Sequence, residues 1–474
     1  MAKTSVQFLC SECGWSGPKW YGRCPECGQW GTIEEFHEAR PSAASRTAAP
    51  GRTSRTQSGA VPSSAARPIT EIGTENMSRI PTGFSEFDRV LGSGIVPGSV
   101  TLIAGEPGIG KSTLLLETAG NVAREVANHR DRNVVLYVSG EESQAQVRMR
   151  AFRINAIEPN MLLAATTDLA TVLGLIEQVR PALAIVDSAQ TIVSQDVDGI
   201  SGGSTQVREV ASALIDTAKT LDVPVLLVGH VTKDGSIAGP RTLEHLVDVV
   251  CQFEGDAQTA LRMLRAVKNR FGPTDEVGCF ELTDSGIYGL ADPSGLFLSR
   301  TTRGVPGTCA AVSLEGRRPL PTEIQSLVAP SSGGSPRRTT SGVDHARVAM
   351  ILAVLQARIG ADTSGADVYV STVGGARTVE PAIDLAMAIS IVSSLKGVPP
   401  RADLVAVGEI SLTGEVRACT GTQRRLAEAA RLGFSSAIVP AQGSEDLARV
   451  DGITVFTVSD LATAIRVAFP TDSQ

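Results

Sequence analysis

Short runs of mainly apolar residues alternate with longer mixed stretches through the middle of the chain. Four such runs occupy residues 99–104, 134–139, 183–187 and 223–229. Runs of this length with few polar positions are typical of strands that are buried on both faces. The stretches between them are long enough to form helices. Strands that alternate with helices predict a parallel sheet covered by helices.

Beyond about residue 290 the pattern shifts, although strands and helices still mix. Apolar runs typical of strands, together with two longer helical stretches, predict a second α/β domain. The predicted strands lie at 307–313, 321–328, 368–373, 404–410, 437–439 and 453–458, and the predicted helices lie at 343–359 and 381–395.

The composition changes again ahead of the first predicted strand. Residues 39–70 consist of Ala, Ser, Thr, Pro and Gly for the most part, with five arginines and no acidic residue. Such a segment buries too little apolar surface to fold, which predicts a disordered basic linker. The predicted organisation is therefore a four-cysteine module at 1–38, this linker at 39–70, and α/β domains at 71–290 and 291–474.

Overall composition and charge exclude some classes of function. The chain has 474 residues, 42% of them hydrophobic, and a formal net charge of −7. A protein with this charge is not a general polyanion binder, so any nucleic-acid contact must come from local basic patches. The N-terminus lacks the apolar core of a signal peptide, and no apolar segment is long enough to span a bilayer. We therefore expect a cytoplasmic protein without a membrane anchor.

Residues from Gly105 to Ser112 have the sequence G-x-x-x-x-G-K-S, between a predicted strand and a predicted helix. This is the phosphate-binding loop of nucleotide-hydrolysing enzymes, whose glycines let backbone N–H groups turn toward phosphate oxygens. Lys111 is expected to contact the β- and γ-phosphates of ATP, and the Ser112 hydroxyl to hold Mg²⁺. The residues expected to bind ATP or ADP are Gly105, Glu106, Pro107, Gly108, Ile109, Gly110, Lys111, Ser112 and Thr113.

Polar residues follow the other predicted strands of this domain. A carboxylate at a strand end beside the phosphate loop could orient the attacking water, and Glu141 is the first candidate with Glu142 the second. One of the two could instead simply begin the next helix. Asp187 ends a Walker B-like strand and is expected to bind Mg²⁺ through water or to orient Ser112. His230 ends the fourth run and could sense the γ-phosphate, although a lone histidine is more often structural.

Four of the eight cysteines lie in the first 27 residues, as two C-x-x-C pairs separated by ten residues. Such clustering at Cys10, Cys13, Cys24 and Cys27 indicates a metal site, and four thiolates suit tetrahedral Zn²⁺. A redox pair or an iron–sulfur cluster is the alternative. A module of about 35 residues needs the energy of metal binding to fold.

All three tryptophans of the chain lie in this cysteine module. Trp15, Trp20 and Trp30 accompany the cysteines, with Lys19 and Arg23 between the two pairs. Aromatic and basic side chains could contact nucleic acid, but a mini-core with a solvated rim is an equally good explanation.

Several motifs together resemble a known family. The phosphate loop, Glu141, Asp187 and His230 resemble the RecA-type ATPase core. Residues 268–272 then read Lys-Asn-Arg-Phe-Gly, which resembles the signature of the bacterial RadA (Sms) family of DNA-repair proteins. Residues 235–245 and the four-cysteine N-terminus are similar to that family too, so the resemblance covers the whole chain.

The resemblance implies a ring-forming ATPase, usually a hexamer, that acts near the nucleoid on single-stranded DNA and branched recombination intermediates with RecA. A replicative helicase is a further candidate partner. In such rings the nucleotide lies between subunits, so Lys268 and Arg270 could act on the neighbour's γ-phosphate, or else contact DNA phosphates. Two glycine-rich loops, 196–205 and 233–241, are the candidates for DNA contact, and ordinary connection is the alternative.

The C-terminal domain resembles the proteolytic domain of Lon, most clearly at residues 408–416. Lon peptidases use a serine nucleophile and a lysine base. This chain has Ala382 at the serine position and Gln423 at the lysine position, so the resemblance implies a retained fold without peptidase chemistry. The domain could hold the ring together. Its arginines could form a DNA-binding surface, with a solvated face as the equal alternative: Arg377, Arg424 and Arg425.

Three rival functions agree less well with the sequence. An ATP-dependent protease requires the serine–lysine pair that this chain lacks. A KaiC-like signalling ATPase leaves the signature at 268–272 and the cysteine module unexplained. A non-catalytic DNA-binding scaffold conflicts with the complete set of Lys111, Ser112, Glu141 and Asp187.

Overall fold

The computed structural model describes thirteen segments of the chain. They are residues 7–10, 16–17, 19–25, 29–30, 33–36, 78–129, 131–230, 242–255, 260–299, 304–331, 336–375, 378–445 and 447–469. The predicted linker at 39–70 lies outside the described residues, as does the loop at 233–241.

A small antiparallel sheet lies at the N-terminus. Its strands are β1 (Gln7–Cys10), β2 (Ser16–Gly17) and β3 (Ile33–Phe36), in the order β2-β1-β3. Among the described side chains of this module, those of Cys24 and Ile33 are buried. A module of about 35 residues is too short to be stabilised by core burial alone, so the expectation of a bound metal stands as a prediction.

Strands and helices then alternate through the central part of the chain. The elements are α1 (Ser85–Leu91), β4 (Val100–Gly105), α2 (Lys111–Val126), β5 (Val135–Ser139), α3 (Gln144–Arg153), β6 (Met161–Ala165), α4 (Leu169–Val179), β7 (Leu183–Asp187), α5 (Ser204–Leu221), β8 (Val225–His230), α6 (Thr242–Leu246), β9 (Val249–Gly255), β10 (Leu261–Asn269), β11 (Val277–Thr283) and β12 (Gly286–Gly289).

One large sheet contains nine of these strands, in the order β12-β11-β10-β9-β4-β8-β7-β5-β6. Strands β4 to β9 are parallel to one another, whereas β10 and β11 pair in antiparallel fashion. Strands β4, β5 and β7 are buried along their whole length, as expected when helices cover both faces. The predicted parallel, helix-covered sheet is thus confirmed. The sequence did not indicate the antiparallel strands at its edge.

The register of the parallel strands aligns their carboxyl ends. Gly105 of β4 lies opposite His230 of β8, and Ser139 of β5 lies opposite Asp187 of β7. Ligands of open α/β sheets bind outside the carboxyl ends of the strands. The phosphate loop and the polar residues predicted at the strand ends therefore share one edge of the sheet.

The chain divides into two compact units. The first comprises Met1–Glu254, Ala266–Pro273 and Leu282–Tyr288, and the second comprises Gly255–Arg265, Thr274–Glu281 and Gly289–Gln474. Parts of β10 and β11 group with the second unit because of contacts within it. Arg265 pairs with Glu315 at 2.8 Å, and Arg318 donates to the backbone oxygen of Val277 at 3.1 Å. The domain limits inferred from the sequence remain predictions.

The second unit contains a further mixed sheet and four longer helices among its described residues. Its elements are α7 (Ser294–Phe297), β13 (Thr308–Glu315), β14 (Arg318–Pro330), β15 (Arg338–Ser341), α8 (His345–Ile359), β16 (Ala366–Thr372), α9 (Asp384–Lys396), β17 (Leu404–Ala406), β18 (Glu409–Ile410), β19 (Val416–Arg417), α10 (Thr422–Arg431), β20 (Ser436–Pro440), β21 (Thr454–Val458) and α11 (Leu461–Ala468). Seven strands pair in the order β15-β16-β14-β13-β17-β20-β21, and β18 pairs with β19.

Helix α9 forms the centre of the second unit's core. Its residues from Asp384 to Ser393 are all buried, and the strands β13 and β14 pack against it. This helix of 13 residues is too short to cross a bilayer. No helix of the described segments has the length and apolar character of a membrane span.

Candidate nucleotide-hydrolysis site

The phosphate loop connects the buried strand β4 to helix α2. Gly108 and Gly110 have φ values of 77° and 109°, a region that favours glycine. A β-carbon on Gly105 would lie 2.5 Å from the backbone oxygen of Phe253, which excludes any larger residue there. The loop therefore requires its glycines for its own backbone shape and for close packing against β9.

Lys111 begins helix α2 and is only 4% exposed. Its Nζ donates to the backbone oxygens of Gly105 and Glu106, both at 2.8 Å. Burial lowers the pKa of Lys111 to about 8, and the nearby carboxylates of Asp187, Glu141 and Glu106 oppose that shift. The structure thus brings this lysine into the electrostatic field of both predicted catalytic carboxylates.

Asp187 lies at the end of strand β7 and is almost completely buried. The Tyr137 hydroxyl of the neighbouring strand donates to its Oδ2 at 2.7 Å. Burial, and then the charge of Asp187, raises the pKa of Tyr137 well above its usual value, so the phenol stays protonated and can donate. This hydrogen bond orients the carboxylate that was predicted to hold Mg²⁺.

Glu141 faces two hydrogen-bond donors. Its Oε1 accepts from the Ser188 hydroxyl at 2.6 Å, and the Nε2 of His230 lies 3.1 Å from the same oxygen. Nε2 must be the protonated nitrogen here, because an ionised carboxylate only accepts. Burial raises the pKa of Glu141, but the hydrogen bonds from Ser188 and His230 and the charge of Lys111 outweigh it and leave the pKa below its usual value.

Glu142 faces away from this cluster toward helix α3. It forms an ion pair with Arg150, and its backbone N–H donates to the Ser139 hydroxyl at 3.0 Å. Helix α3 is capped by Ser143, whose side chain accepts from the backbone of Gln146. The geometry therefore places Glu141, and not Glu142, with His230 and near Lys111.

A cavity of about 310 Å³ lies beside the phosphate loop within the first unit. Loop residues, the end of helix α3 and the turn between β11 and β12 line it. The lining residues are Gly108, Gly110, Thr113, Arg153, Ile154, Leu282, Thr283, Asp284 and Gly286. Of these, the sequence had indicated only those of the phosphate loop, because the others come from segments about 40 and 170 residues away.

Tyr137 and Ser188 were also missed by sequence reasoning. Both residues carry a hydroxyl group and belong to runs of buried residues: Tyr137 lies within β5, and Ser188 directly follows β7. A buried hydroxyl needs a hydrogen-bond partner, so these positions carried a usable signal.

Lys268 and Arg270 lie at the other end of the sheet from the phosphate loop of their own chain. Arg270 pairs at 3.0 Å with Asp248, whose Oδ2 accepts from the backbone N–H of Val100. Asp248 and Val100 adjoin the amino ends of β9 and β4, whereas the phosphate loop follows the carboxyl end of β4. A strand of six residues separates the two ends by about 17 Å.

The segment that carries these two cations is firmly held. Lys268 donates to the backbone oxygens of Glu244 and Val247, both at 2.8 Å, and burial lowers its pKa. Asn269 donates to the backbone oxygen of Leu91 at 3.3 Å, and Arg79 donates to that of Phe271 at 2.7 Å. The Arg270 side chain is about half exposed, which leaves it accessible to another molecule.

Two cysteines of the four-cysteine module lie in the described part of the chain. Cys10 ends strand β1, and Cys24 is buried. The backbone N–H of Cys24 donates to the oxygen of Gln29 at 2.9 Å, and Arg23 bridges to Trp30. Cys13 and Cys27 lie outside the described residues. Two C-x-x-C pairs provide a donor set that fits Zn²⁺.

The predicted peptidase positions of the second unit hold no catalytic pair. Ala382 is buried, and Gln423 donates to the backbone oxygen of Ala448 at 3.2 Å. The expectation that Arg425 belongs to a DNA-binding surface is wrong. Arg425 is 0% exposed and binds the Glu380 carboxylate, because helix α10 turns this residue into the core. Arg424 is exposed, and Arg377 lies outside the described residues.

Three family models match separate parts of the chain. They are a rubredoxin metal-binding domain of the zinc-ribbon type at residues 8–35, an AAA domain at 66–236, and the subunit ChlI of Mg-chelatase at 370–443. They support metal binding by the N-terminal module and nucleotide and Mg²⁺ binding by the central domain, and the ChlI match accords with the Lon-like fold of the C-terminal domain.

Curated relatives cover nearly the whole chain. The DNA repair protein RadA of Mycobacterium tuberculosis (strain H37Rv) is 51% identical over 93% of this chain and 89% of its own length. The proteins of that name from Mycolicibacterium smegmatis and Bacillus subtilis are 50% and 44% identical, covering 93% and 99% of this chain and 92% and 99% of their own lengths.

Among solved structures, the chain is similar to one described as an ATPase domain. The two chains are 16% identical, and the match covers 45% of this chain and 92% of the other, with a TM-score of 0.38. The phosphate loop, the aligned strand ends and the sequence identity to relatives over almost the full length all point to the same family. The chain belongs to the RadA family of DNA-repair proteins and is a DNA-repair ATPase with a RecA-like core.

Proposed function

We propose that this ATPase is a DNA-dependent motor, which works as a ring of identical chains and drives branch migration of recombination intermediates together with RecA. One observation carries the proposal: the chemically active residues lie at two opposite ends of the same sheet. Lys111, Glu141 and Asp187 lie at the carboxyl ends of the strands, whereas Arg270 lies near the amino ends. A site that uses all of them needs two copies of the chain.

Each residue at the carboxyl edge has a definite task in this proposal. The phosphate loop and Lys111 bind the phosphates of ATP, while Ser112 and Asp187 hold Mg²⁺, which neutralises charge on the β- and γ-phosphates. Glu141 is ionised, because the pKa of its carboxyl is lowered, and it orients the attacking water. The cavity beside the loop takes the base and ribose of the nucleotide between Ile154 and Leu282.

The second chain supplies the cations. Lys268 and Arg270 approach the γ-phosphate of the neighbouring subunit, where a positive charge stabilises the transition state. Their backbone is anchored to the protein through Asn269 and Arg79, which gives an arginine finger a rigid base. Six subunits in the ring follow the family resemblance.

DNA binding is coupled to hydrolysis through His230. This residue ends strand β8, contacts Glu141 through Nε2, and is separated by two residues from the glycine-rich segment at 233–241. Its Nδ1 is buried without a hydrogen-bond partner among the described residues. DNA held by the segments 196–205 and 233–241 would shift this histidine, and with it the hydrogen bond that orients Glu141.

The two flanking domains have supporting roles. The N-terminal module binds one Zn²⁺ through Cys10, Cys13, Cys24 and Cys27, and it is the candidate contact for RecA or for a replicative helicase. The Lon-like domain has no peptidase chemistry and holds the ring together. The protein acts in the cytoplasm, at the nucleoid, and needs no membrane.

The experiment that tests this proposal mixes two inactive variants. Arg270→Ala retains an intact phosphate loop, and Lys111→Ala retains an intact Arg270. In randomly mixed rings about a quarter of the interfaces combine the two intact parts, so we expect up to about a quarter of the ATPase rate to return. Mixing Lys111→Ala with Glu141→Gln is the matched control and should restore nothing, because both residues belong to one edge.

The same preparations also test the DNA-dependent part of the proposal. ATP hydrolysis by the unmodified protein should rise when single-stranded DNA is added, and RecA-made joint molecules should be extended only with ATP. If the mixed rings stay inactive, the role of Arg270 in a neighbouring site is wrong. If DNA leaves hydrolysis unchanged, the protein is not a DNA-dependent motor.

A further inference from the structure

Two tryptophans of the cysteine module are exposed to an unusual degree for so apolar a side chain. Trp20 is 56% exposed and Trp30 is 75% exposed, whereas Cys24 and Ile33 are 2% and 6% exposed. These tryptophans therefore do not form the mini-core of the module. Large apolar side chains that remain together on a surface indicate a binding site more often than a structural role.

Both indole rings lie close to Gly22. A β-carbon on Gly22 would lie 3.6 Å from Cη2 of Trp20 and 3.8 Å from Cζ3 of Trp30. The indole of Trp20 is held by its Nε1, which donates to the backbone oxygen of Ile33 at 3.0 Å, and the backbone of Trp30 bridges to that of Arg23. The Trp20 ring is thus fixed before any ligand arrives, and the Trp30 ring lies close to it.

Two cations accompany this pair in the chain. Lys19 and Arg23 are exposed, and they are the charged residues of the described stretch 19–25. Residues 1–38 as a whole contain three lysines and arginines against five glutamates, so the positive charge is a local feature of residues 19–23. Exposed aromatic rings flanked by cations match the chemistry of single-stranded nucleic acid, in which bases stack on the rings and phosphates contact the cations.

We propose that Trp20 and Trp30 form a stacking platform for the bases of single-stranded DNA, with Lys19 and Arg23 contacting its phosphates. The choice of DNA over RNA rests on the proposed function. The platform is a second DNA-binding site, separate in sequence from the loops that the motor proposal uses. Through this site the ATPase would bind single-stranded DNA independently of ATP binding and hydrolysis.

The composition of the chain provides a direct measurement. The three tryptophans all lie in this module, so the intrinsic tryptophan fluorescence of the full-length protein reports on this module alone. We would titrate the protein with oligothymidylate and with an abasic deoxyribose-phosphate strand of equal length. Stacking predicts that the thymidylate quenches the fluorescence strongly and that the abasic strand does not.

Single substitutions distinguish a loss of base stacking from a loss of the folded module. Trp20→Ala and Trp30→Ala should each lower both the quenching and, by about tenfold, the affinity for oligothymidylate in the absence of ATP. The zinc content should stay at one ion per chain in both. Phe152→Ala is the matched control: it removes an aromatic side chain that is 78% exposed in the ATPase core and should leave quenching and affinity unchanged.

Several results would overturn the platform. Equal quenching by the abasic strand would show a contact with phosphates alone, and quenching by RecA or a helicase but not by DNA would show a protein-binding surface. Absence of quenching would overturn the platform even where DNA still accelerates ATP hydrolysis, in which case the proposed motor stands. Quenching without accelerated hydrolysis would support the platform and contradict the motor.

Discussion

Neighbouring side chains decide the role of each carboxylate in the nucleotide site. Glu141 and Glu142 are adjacent in the chain and identical in type, yet one accepts hydrogen bonds from Ser188 and His230, and the other pairs with Arg150. Successive residues after a strand point in different directions, so only one of them can face the phosphate loop. The difference between the two glutamates is one of geometry, and substituting each of them separately tests it.

Glu141→Gln should lower the rate of ATP hydrolysis at least about 100-fold, because an amide cannot act as the carboxylate that orients and activates water. Nucleotide affinity should change little. Glu142→Gln, the matched control, removes only the ion pair with Arg150 and should retain hydrolysis. Steady-state turnover and fluorescent-nucleotide binding would measure both effects, and equal losses in the two variants would contradict the assignment.

Nucleotide binding should weaken as the pH rises through about 8, the value to which burial lowers the pKa of Lys111. Below that pH the lysine is protonated and attracts phosphate, and above it the charge is progressively lost. We expect affinity for MgATP to be about fivefold lower at a pH of about 9 than at about 8. Lys111→Arg should abolish the slope, since arginine stays charged. If the affinity of that variant for MgATP still fell with pH as before, the pH dependence would belong to another group.

At the scale of elements, turns and helix ends position residues that the sequence places far apart. In the second unit, Arg425 near the start of helix α10 reaches the Glu380 carboxylate and the backbone oxygen of Val312 at 2.6 Å. Glu380 also accepts from the backbone N–H of Leu314 at 2.8 Å. This buried ion pair joins the helix to β13 and to the turn where Lon carries its nucleophile.

Arg425→Leu should destabilise the second unit by about 3–5 kcal/mol, because it leaves the carboxylate of Glu380 partly buried without its cation. Differential scanning calorimetry of the full chain should show a lower melting temperature for the transition of this unit. Arg424→Leu changes the exposed neighbour on the same helix and should have almost no effect. If Arg425→Leu lowers the melting temperature no more than Arg424→Leu does, the ion pair with Glu380 does not contribute to stability as proposed.

At the scale of the whole molecule, the cysteines separate into two groups. Four lie in the N-terminal stretch that matches a rubredoxin metal-binding domain, whereas Cys251, Cys279 and Cys309 are buried in the two larger units and Cys419 is partly buried. Burial raises the pKa of Cys251 to about 12 and that of Cys309 still further, so these thiols are not available as thiolates. This division predicts one metal ion per chain.

A thiol-blocking reagent should release one Zn²⁺ per chain, measured with a colorimetric chelator and confirmed by elemental analysis. Cys24→Ser should abolish the release, because three thiolates hold Zn²⁺ less tightly than four. Cys251→Ala should release the same amount as the unchanged protein. Iron in place of zinc, or no metal, would refute the zinc ribbon.

The sequence predicted much of the central domain because its signals are local. The four apolar runs correspond to strands β4, β5, β7 and β8, and the phosphate loop lies between β4 and α2 as expected. The antiparallel strands at the sheet edge were missed, since their apolar pattern is weak and their pairing is nonlocal. Arg425 was misjudged because the polarity of a residue does not show which face of a helix the core covers.

The nucleotide-binding chemistry could be inferred from local sequence, because a phosphate loop acts through the backbone of eight consecutive residues, and the family could be inferred from short motifs such as residues 268–272. The arrangement of the other site residues depends on the folded chain. Strand order brings Lys111, Glu141, Asp187 and His230 to one edge, and the reversed direction of β10 carries Arg270 to the other. These positions depend on pairing between distant segments, which no local pattern encodes.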